Sequence, residues 1–285
     1  MTLIQAVVLG LVEGATEYLP VSSTGHLLLA QRFMGIGEPQ VSGHRKSTAK
    51  TAADAYAICI QAGAILAVLG LYAARVKQMV LGLMGKDPSG FRMVVNIFAG
   101  FAPAAVCGLM LADRIQAVLF GPWPVIAAWF AGGVAILAVA WWTKGRRRLS
   151  SDSMALDELT WKMALGIGVA QCVAMWPGVS RSLMTIVGGV LVGLSVPAAV
   201  EFSFLLGVVT LGAATGYEAL KHGEIMLAMF DPLVLLAGLM VAFVSAAIAV
   251  KWMVAYLNRH GLALFGYYRV ALAAGAALLM TMNVV

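Results

Sequence analysis

Charged residues are scarce in this chain. Lys, Arg, Asp and Glu together make up 11% of its 285 residues, while apolar residues make up 61%. A soluble domain carries about a quarter charged residues, so this composition excludes a soluble protein. The three cysteines, Cys59, Cys107 and Cys172, lie far apart in apolar stretches, which excludes a disulfide framework and a zinc-ligand motif. No basic stretch is interleaved with aromatic residues, so we expect no nucleic-acid partner.

The apolar residues are grouped in long stretches. A helix needs about 20 apolar residues to cross the hydrocarbon core of a bilayer, and the stretches do not alternate as the strands of a transmembrane barrel would. The sequence therefore predicts an all-α polytopic membrane protein. Six stretches are long enough to span fully: 52–74, 91–113, 121–143, 197–217, 231–252 and 261–283.

Two further apolar stretches, 2–35 and 158–194, are broken near the middle. The breaks, at 19–24 and 176–182, each combine a proline with hydroxyl side chains. Irregular backbone at membrane depth is tolerated only where it is buried in protein or lines a polar cavity. We therefore interpret each stretch as a re-entrant hairpin of two half-helices.

The two breaks indicate an internal repeat. A shift of 157 residues places Pro20 on Pro177 and Ser23 on Ser180, and three spans follow each break. We expect a single membrane domain, 1–285, with repeat 1 at about 1–143 and repeat 2 at about 158–285. A hairpin plus an odd number of crossings makes the second repeat inverted relative to the first, and the two hairpins should meet near the membrane midplane.

Glycines four residues apart occur in three of the apolar stretches. Residues four apart lie on one face of a helix, and small residues let two helix backbones approach closely. Helix contact faces are therefore predicted at Gly10/Gly14, Gly189/Gly193 and Gly212/Gly216.

The basic residues predict an orientation in the membrane. The loops 75–92, 144–162 and 251–260 share one side and hold eleven Lys and Arg residues, against six on the other side. The more basic side is cytoplasmic by the positive-inside rule. Both termini, and the opening of the first hairpin, are then on the outer side.

The ionisable residues within the membrane segments carry the chemical information, because a charge at the bilayer centre is costly unless it is paired. Glu13 and Glu17 lie four apart, on one face of the first half-helix. A divalent ion, Arg181 or a proton must relieve their repulsion; a neutral pair with a structural role is the alternative. For Glu201 and Arg269, both structural pairing and a role in the site stay open.

Both breaks lead into a helix start that is rich in hydrogen-bond donors. The first has Ser22, Ser23 and Thr24 with His26 one turn later, and the second has Gly178, Ser180, Arg181, Ser182 and Thr185. Free N–H groups and the helix dipole bind anions, and an arginine fork matches phosphate oxygens. One such start is usually only a helix cap, but two in matching halves predict a phosphate site. With a hydroxyl, an imidazole and a carboxylate pair, it is typical of phosphoryl transfer, here on a lipid.

Two segments resemble a known family. Residues 10–26 and 176–182 are similar to the two signature motifs of the bacterial undecaprenyl-diphosphatases, the bacitracin-resistance family, and the likeness continues through 201–206 and Tyr268-Arg269. It implies a phosphatase of the bacterial inner membrane that hydrolyses undecaprenyl diphosphate to the monophosphate carrier lipid used in peptidoglycan synthesis. It also implies a divalent cation and functional roles for Glu13, Glu17, Ser22, Ser23, Thr24, His26, Ser180, Arg181, Ser182 and Thr185.

We expect the following roles. Glu17, with Glu13, holds Mg²⁺ or Ca²⁺ against the diphosphate, and Arg181 neutralises the transferred phosphoryl group. Ser23 is the first choice of nucleophile with His26 as its base; direct attack by His26 and attack by a metal-bound water stay open. The remaining residues are expected to bind the substrate phosphates: Ser22, Thr24, Gly178, Ser180, Ser182 and Thr185.

Two other functions are compatible with the same pattern. A transporter or flippase for a lipid phosphate or an anion has inverted repeats and broken helices too, and an antibiotic receptor or membrane scaffold needs no chemistry at all. A nucleophile beside a base favours the enzyme, because a carrier needs neither. The expected partners are a polyprenyl diphosphate lipid and the bilayer, and a homodimer stays open.

The orientation can be tested by cysteine labelling. In a variant without the three native cysteines, a single cysteine at Arg147 should react only with a reagent added from the cytoplasm. One at Ser42 should react only from the outside. Reaction of both from the same side would contradict the odd number of crossings per repeat.

Overall fold

The computed structural model describes residues 1–36, 53–119, 121–146 and 153–282. The labelling positions Ser42 and Arg147, and the basic residues that we counted within 37–52 and 147–152, lie outside these ranges.

The described residues fold almost entirely into α-helices. One isolated β-bridge, between Met154 and Leu194, is the only strand-like pairing in these ranges. The helices are α1 (Leu3–Thr16), α2 (Ser23–Phe33), α3 (Ala53–Leu71, with a turn at Ile60), α4 (Ala73–Leu83), α5 (Pro88–Leu119), α6 (Pro122–Arg146), α7 (Trp161–Cys172), α8 (Arg181–Leu191), α9 (Val196–Met229), α10 (Pro232–His260) and α11 (Ala263–Thr281).

Six of these helices are long and apolar enough to cross a membrane: α3, α5, α6, α9, α10 and α11. They confirm the six predicted spans, and the chain is a polytopic membrane protein. The main error is at a helix end. The span predicted to stop at residue 217 continues as α9 to Met229, because a helix continues through polar residues beyond the apolar stretch that hydropathy detects.

Helix α4 lies in a segment that we expected to be a loop, and that expectation was wrong. Its eleven residues are too few to span a bilayer, so the length of apolar stretches could not indicate it. Within it, Arg75 donates from Nε to Glu201 Oε1 at 2.7 Å and pairs with Asp157 at 3.3 Å. Of the two roles left open for Glu201, the structure therefore shows structural pairing.

Both predicted breaks are confirmed as interruptions between two helices. In each, the residue before the second helix is a serine with a positive φ, Ser22 at 72° and Ser180 at 79°. No other non-glycine residue in the described part of the chain has a positive φ. Such a conformation costs free energy and persists only where the surroundings impose it. The two serines are 158 residues apart, one more than the two prolines.

The helices around the two breaks exchange partners. Helix α1 packs mainly on α10, the second span after the second break, and α7 packs mainly on α5, the second span after the first break. The last spans of the two sets, α6 and α11, pack on each other. The two halves of the chain therefore interlock, and neither break is enclosed by its own half alone.

The glycine pairs differ in what they contact. A Cβ at Gly10 or Gly14 would overlap the backbone of α10, and a Cβ at Gly189 would press on Ala199. Nothing in the described chain lies within 4 Å of a Cβ placed at Gly212 or Gly216. The contact face predicted for that third pair is wrong for the described chain, because the buried positions of α9 end at Leu211.

Gly14 and Gly216 therefore offer a matched pair of substitutions. We expect Gly14→Leu to lower the free energy of unfolding by about 1–3 kcal/mol or more, the usual cost of overpacking, because the added side chain must displace α10. Gly216→Leu should change it little. Thermal unfolding in detergent measures both, and equal losses would contradict the packing of α1 on α10.

Candidate active site

Two side chains, one from each break, meet at Glu17, the C-cap residue of α1. Glu17 Oε2 accepts a hydrogen bond from Ser23 Oγ, at the start of α2. Glu17 Oε1 pairs with Arg181 Nη2, at the start of α8, across 3.4 Å. A hydroxyl, a carboxylate and a guanidinium are thus brought together, although Arg181 is 164 positions from Glu17 in the sequence.

The guanidinium of Arg181 is held on several sides. Nη1 donates to the Ser203 carbonyl oxygen at 2.9 Å, and the guanidinium carbon lies 5.3 Å from the centroid of the Tyr18 ring. Gly207 makes room for it, since a Cβ there would collide with the guanidinium. Arg181 Nε is buried and has no partner among the described residues. The fork is therefore fixed in place with its Nε–H free to donate.

Glu13 is fully buried one turn before Glu17. Neither of its carboxylate oxygens has a partner at full hydrogen-bond geometry in the described chain, although the side chains of Glu17 and Gln61 lie near hydrogen-bond range and Arg181 acts on it electrostatically. An isolated buried carboxylate is very costly, so Glu13 requires a proton or a cation. Its two unpartnered oxygens, next to a second carboxylate, suit a hard divalent cation.

His26 is fixed by both of its ring nitrogens. Nδ1 lies 2.7 Å from the Ser22 carbonyl oxygen and Nε2 lies 2.7 Å from the Tyr268 hydroxyl. Because a carbonyl only accepts, Nδ1 carries the hydrogen, and in the neutral ring Nε2 accepts from Tyr268. In this structure Ser23 and His26 do not bond to each other, although we expected His26 to act as the base of Ser23. Ser23, the first residue of α2, points back to Glu17, whereas the imidazole folds along α2 to Ser22.

Three of the expected phosphate binders bond to the protein itself. Ser182 Oγ donates to the Leu19 carbonyl oxygen at 2.8 Å and lies 3.0 Å from Ser180 Oγ. Thr185 Oγ1 donates to the Arg181 carbonyl oxygen at 3.0 Å. These contacts tie the two breaks to each other and α8 to its own first turn.

The other three expected phosphate binders present backbone or free hydroxyl groups. Ser22 makes no side-chain capping bond, so the first N–H groups of α2 have no side-chain cap. Thr24 is half-buried at the wall of a cavity. Gly178 has a φ of 97°, and a Cβ there would press on the backbone of α6 at Val125, so only glycine suits this close approach.

Arg269 joins the two breaks at one point. It is fully buried, and its guanidinium donates only to backbone carbonyl oxygens: Pro20 at 3.3 Å, Gly178 at 2.8 Å, Ala128 at 2.9 Å and Trp129 at 3.3 Å. The sequence left the role of this residue open, and the structure shows a structural cation between the breaks and α6.

A cavity of about 730 Å³ adjoins the first turn of α2 and lies between α2, α3, α6 and α11. Its wall is mostly apolar, with a few polar groups that include Thr24 and Gln31. This is the composition of small-molecule sites in general. A ligand with a polar head at the breaks and an apolar remainder matches it.

Sequence reasoning missed two residues of the site. Tyr268, which bonds and stacks on His26 with ring centroids 5.8 Å apart, is next to the intramembrane Arg269. Ser203, whose hydroxyl lies 2.7 Å from Thr185 Oγ1, falls within the segment 201–206 quoted for the resemblance. The sequence could have indicated Tyr268 through its position next to Arg269, an ionisable residue in an apolar stretch. No feature of the sequence around Ser203 indicated a role for that residue.

Residues 6–275 match the family described as bacitracin resistance protein BacA. The chain belongs to this family. It is 44% identical over 270 residues to an undecaprenyl-diphosphatase of Sorangium cellulosum, covering 94% of this chain and 83% of that protein. The identity is 43% over 269 residues to undecaprenyl-diphosphatase 2 of Rhodospirillum rubrum, covering 94% and 92%. The resemblance inferred from the two motifs is confirmed, and the BacA match includes every site residue described above.

The role of Arg269 can be measured in this BacA family member. Arg269→Met should leave the carbonyl oxygens of Pro20 and Gly178 without their donor, and each buried group left unsatisfied costs about 1–3 kcal/mol. We expect a large fall in the thermal unfolding temperature. Arg259→Met, at an exposed position on α10, is the control. Equal unfolding temperatures for the two variants would contradict the structural role.

Proposed function

We propose that the chain is an integral-membrane phosphatase that hydrolyses undecaprenyl diphosphate to undecaprenyl phosphate and inorganic phosphate. The observation that carries the proposal is the hydrogen bond from Ser23 to Glu17, opposite Arg181. It joins a hydroxyl nucleophile, a proton acceptor and a phosphate-binding cation at the start of two helices. The family, and the printed names of the relatives, support the same substrate.

We further propose that the fold is an inverted repeat, with repeat 1 at about 1–143 and repeat 2 at about 158–285. The pairs α1–α2 and α7–α8 are its re-entrant hairpins, which meet near the membrane midplane. The exchange of partners between α1 with α10 and α7 with α5 supports this architecture. The two positive-φ serines, each at the start of the second half-helix, support it as well.

In the first chemical step, Ser23 Oγ attacks the terminal phosphorus of the diphosphate. The new bond joins Oγ to phosphorus, the bond from phosphorus to the bridging oxygen breaks, and the Ser23 proton passes to Glu17 Oε2. Undecaprenyl phosphate is the leaving group. A water oxygen then attacks the phosphoserine, Glu17 returns the proton to Ser23, and both water hydrogens leave with inorganic phosphate.

The charge that develops on the phosphoryl oxygens is met by groups already in place. Arg181 has a free Nε–H at the site, and the first turns of α2 and α8 direct their N–H groups towards the breaks. Glu13 and Glu17 would hold a divalent cation, Mg²⁺ or Ca²⁺, which when bound neutralises diphosphate charge. Because both oxygens of Glu17 already have partners, Glu13 would be the main protein ligand.

We assign positioning roles to the other predicted residues. His26, through its bond to the Ser22 carbonyl oxygen, holds the strained residue that aims Ser23 at Glu17. Ser180, Ser182 and Thr185 hold the second break, and with it Arg181, against the first. Substrate contacts then come from the free hydroxyl of Thr24 and from the backbone at Ser22 and Gly178.

We place the protein in the bacterial inner membrane, with both termini and the opening of the site on the periplasmic side. The relatives are bacterial, and the eleven-to-six distribution of basic residues gives the orientation. At that face the enzyme would recycle the carrier lipid released during peptidoglycan synthesis. Removal of the diphosphate form would also confer bacitracin resistance.

Phosphate release by the purified protein tests the function. With undecaprenyl diphosphate in detergent micelles, the wild type should complete many turnovers, and a chelator should abolish them. Ser23→Ala and Glu17→Gln should each reduce turnover by on the order of 10²–10³ or more. Glu218→Gln, in a partly exposed pair with His222, should have little effect.

The outcomes separate an enzyme from a carrier. A lipid-phosphate transporter or flippase would bind the substrate and release no phosphate. Full turnover in Ser23→Ala would exclude Ser23 as the nucleophile, and full turnover in the chelator would exclude the divalent cation. A phosphoserine trapped by acid quenching would identify the attacking atom.

A further inference from the structure

Trp129 lies in α6 at the edge of the site and is buried at 1% exposure. Its carbonyl oxygen accepts from Arg269 Nε at 3.3 Å, so it is tied to the cation that binds both breaks. Its ring centroid is 5.6 Å from that of His26. The indole therefore has a fixed position beside the first turn of α2.

Gly25 allows the indole to approach that turn. The nearest atoms to a Cβ built on Gly25 would be Cζ2, Cε2 and Nε1 of Trp129, all too close for any side chain. The edge of the indole that carries the N–H thus faces the backbone next to Thr24. It lies beside the helix start that we assign to phosphate binding.

The indole N–H has no hydrogen-bond partner. Trp129 Nε1 is buried and unpartnered among the described residues, whereas the N–H of a buried tryptophan usually finds an acceptor. Trp129 also lines the cavity of about 730 Å³, together with Gln31, whose Nε2 is buried and unpartnered as well. Two unsatisfied donors on one cavity wall call for a ligand that brings acceptors.

We propose that Trp129 is a substrate-binding residue whose indole N–H donates to a phosphate oxygen of the bound prenyl diphosphate. The inference rests on the proposed function, because that function supplies the diphosphate. Phosphate oxygens at the α2 start lie next to the N–H edge, and the apolar part of the lipid occupies the cavity along the ring. Gly25 is then required both for the backbone approach to phosphate and for the placement of the indole.

Trp129→Phe removes the N–H and keeps an aromatic ring. We expect kcat/KM for undecaprenyl diphosphate to fall by about tenfold to a hundredfold, the usual effect of losing a hydrogen bond to a charged acceptor. The control is Trp141→Phe, on the same helix at 81% exposure, which should leave kcat/KM and the unfolding temperature unchanged. Unchanged kcat/KM in a folded Trp129→Phe variant would overturn the proposal.

A binding measurement separates this inference from the proposed hydrolysis. The ¹⁵N–¹H signals of the indoles are recorded in nanodiscs with farnesyl methylenediphosphonate, which cannot be hydrolysed, and the Trp129 signal is identified by its loss in Trp129→Phe. On saturation it should move downfield while the Trp141 signal stays in place. This shift without turnover in the phosphate assay would support the inference and contradict the phosphatase. An unmoved Trp129 signal, with or without movement elsewhere, would overturn the inference.

Discussion

The backbone carbonyl groups of the two helix breaks lie in the protein interior and must find donors there, and the rest of the structure depends on how this is done. A buried carbonyl group without a donor costs free energy comparable to a lost hydrogen bond. Arg269 meets the need by donating to Pro20 and Gly178, one carbonyl from each break, and to two carbonyls of α6. Among the described residues this buried guanidinium donates only to carbonyl oxygens, and its five N–H donors cover more acceptors than any other side chain. The breaks can therefore leave the helix geometry, and the chemical groups at their ends can face each other.

Strain at the breaks is what aims the reactive groups. Ser22 and Ser180 hold positive φ values, which a non-glycine residue adopts only under constraint. The constraint is visible at both: His26 bonds the carbonyl oxygen of Ser22, and the hydroxyl of Ser180 caps α8 at Leu183. The turn at Ser22 places Ser23 against Glu17, and the turn at Ser180 places Arg181 against the same carboxylate. Relaxing either turn would separate the three side chains. The free-energy cost of the two strained residues is therefore the cost of holding Ser23 and Arg181 against Glu17.

The sequence predicted the features that follow from the hydropathy of one segment. It did not predict the features that follow from contacts between segments. Hydropathy is a property of each segment, so the six spans and both breaks could be read directly. Helix α4 was missed because eleven residues leave no transmembrane signal, and Gly212/Gly216 was misread because a glycine spacing does not say what lies opposite. The choice between Glu17 and His26 as the partner of Ser23 depends on the direction of one side chain at a helix start. The four carbonyl partners of Arg269 come from three separate segments, which no local pattern could reveal.

Several polar groups around the site have no hydrogen-bond partner among the described residues, and they divide into acceptors and donors. Glu13 leaves two acceptor oxygens free, whereas Arg181, Trp129 and Gln31 each leave a donor free. In a packed interior nearly all such groups are satisfied, so their concentration here marks the region where a ligand would supply partners. A diphosphate brings acceptors for the donors, and a cation bound with it satisfies the carboxylate, so the two together remove both deficits at once. A cation without a diphosphate would leave the donors unpaired, and a diphosphate without a cation would require Glu13 to carry a proton. In the proposed function the two ligands would therefore bind in concert, and a ligand that binds only the folded state also stabilises it.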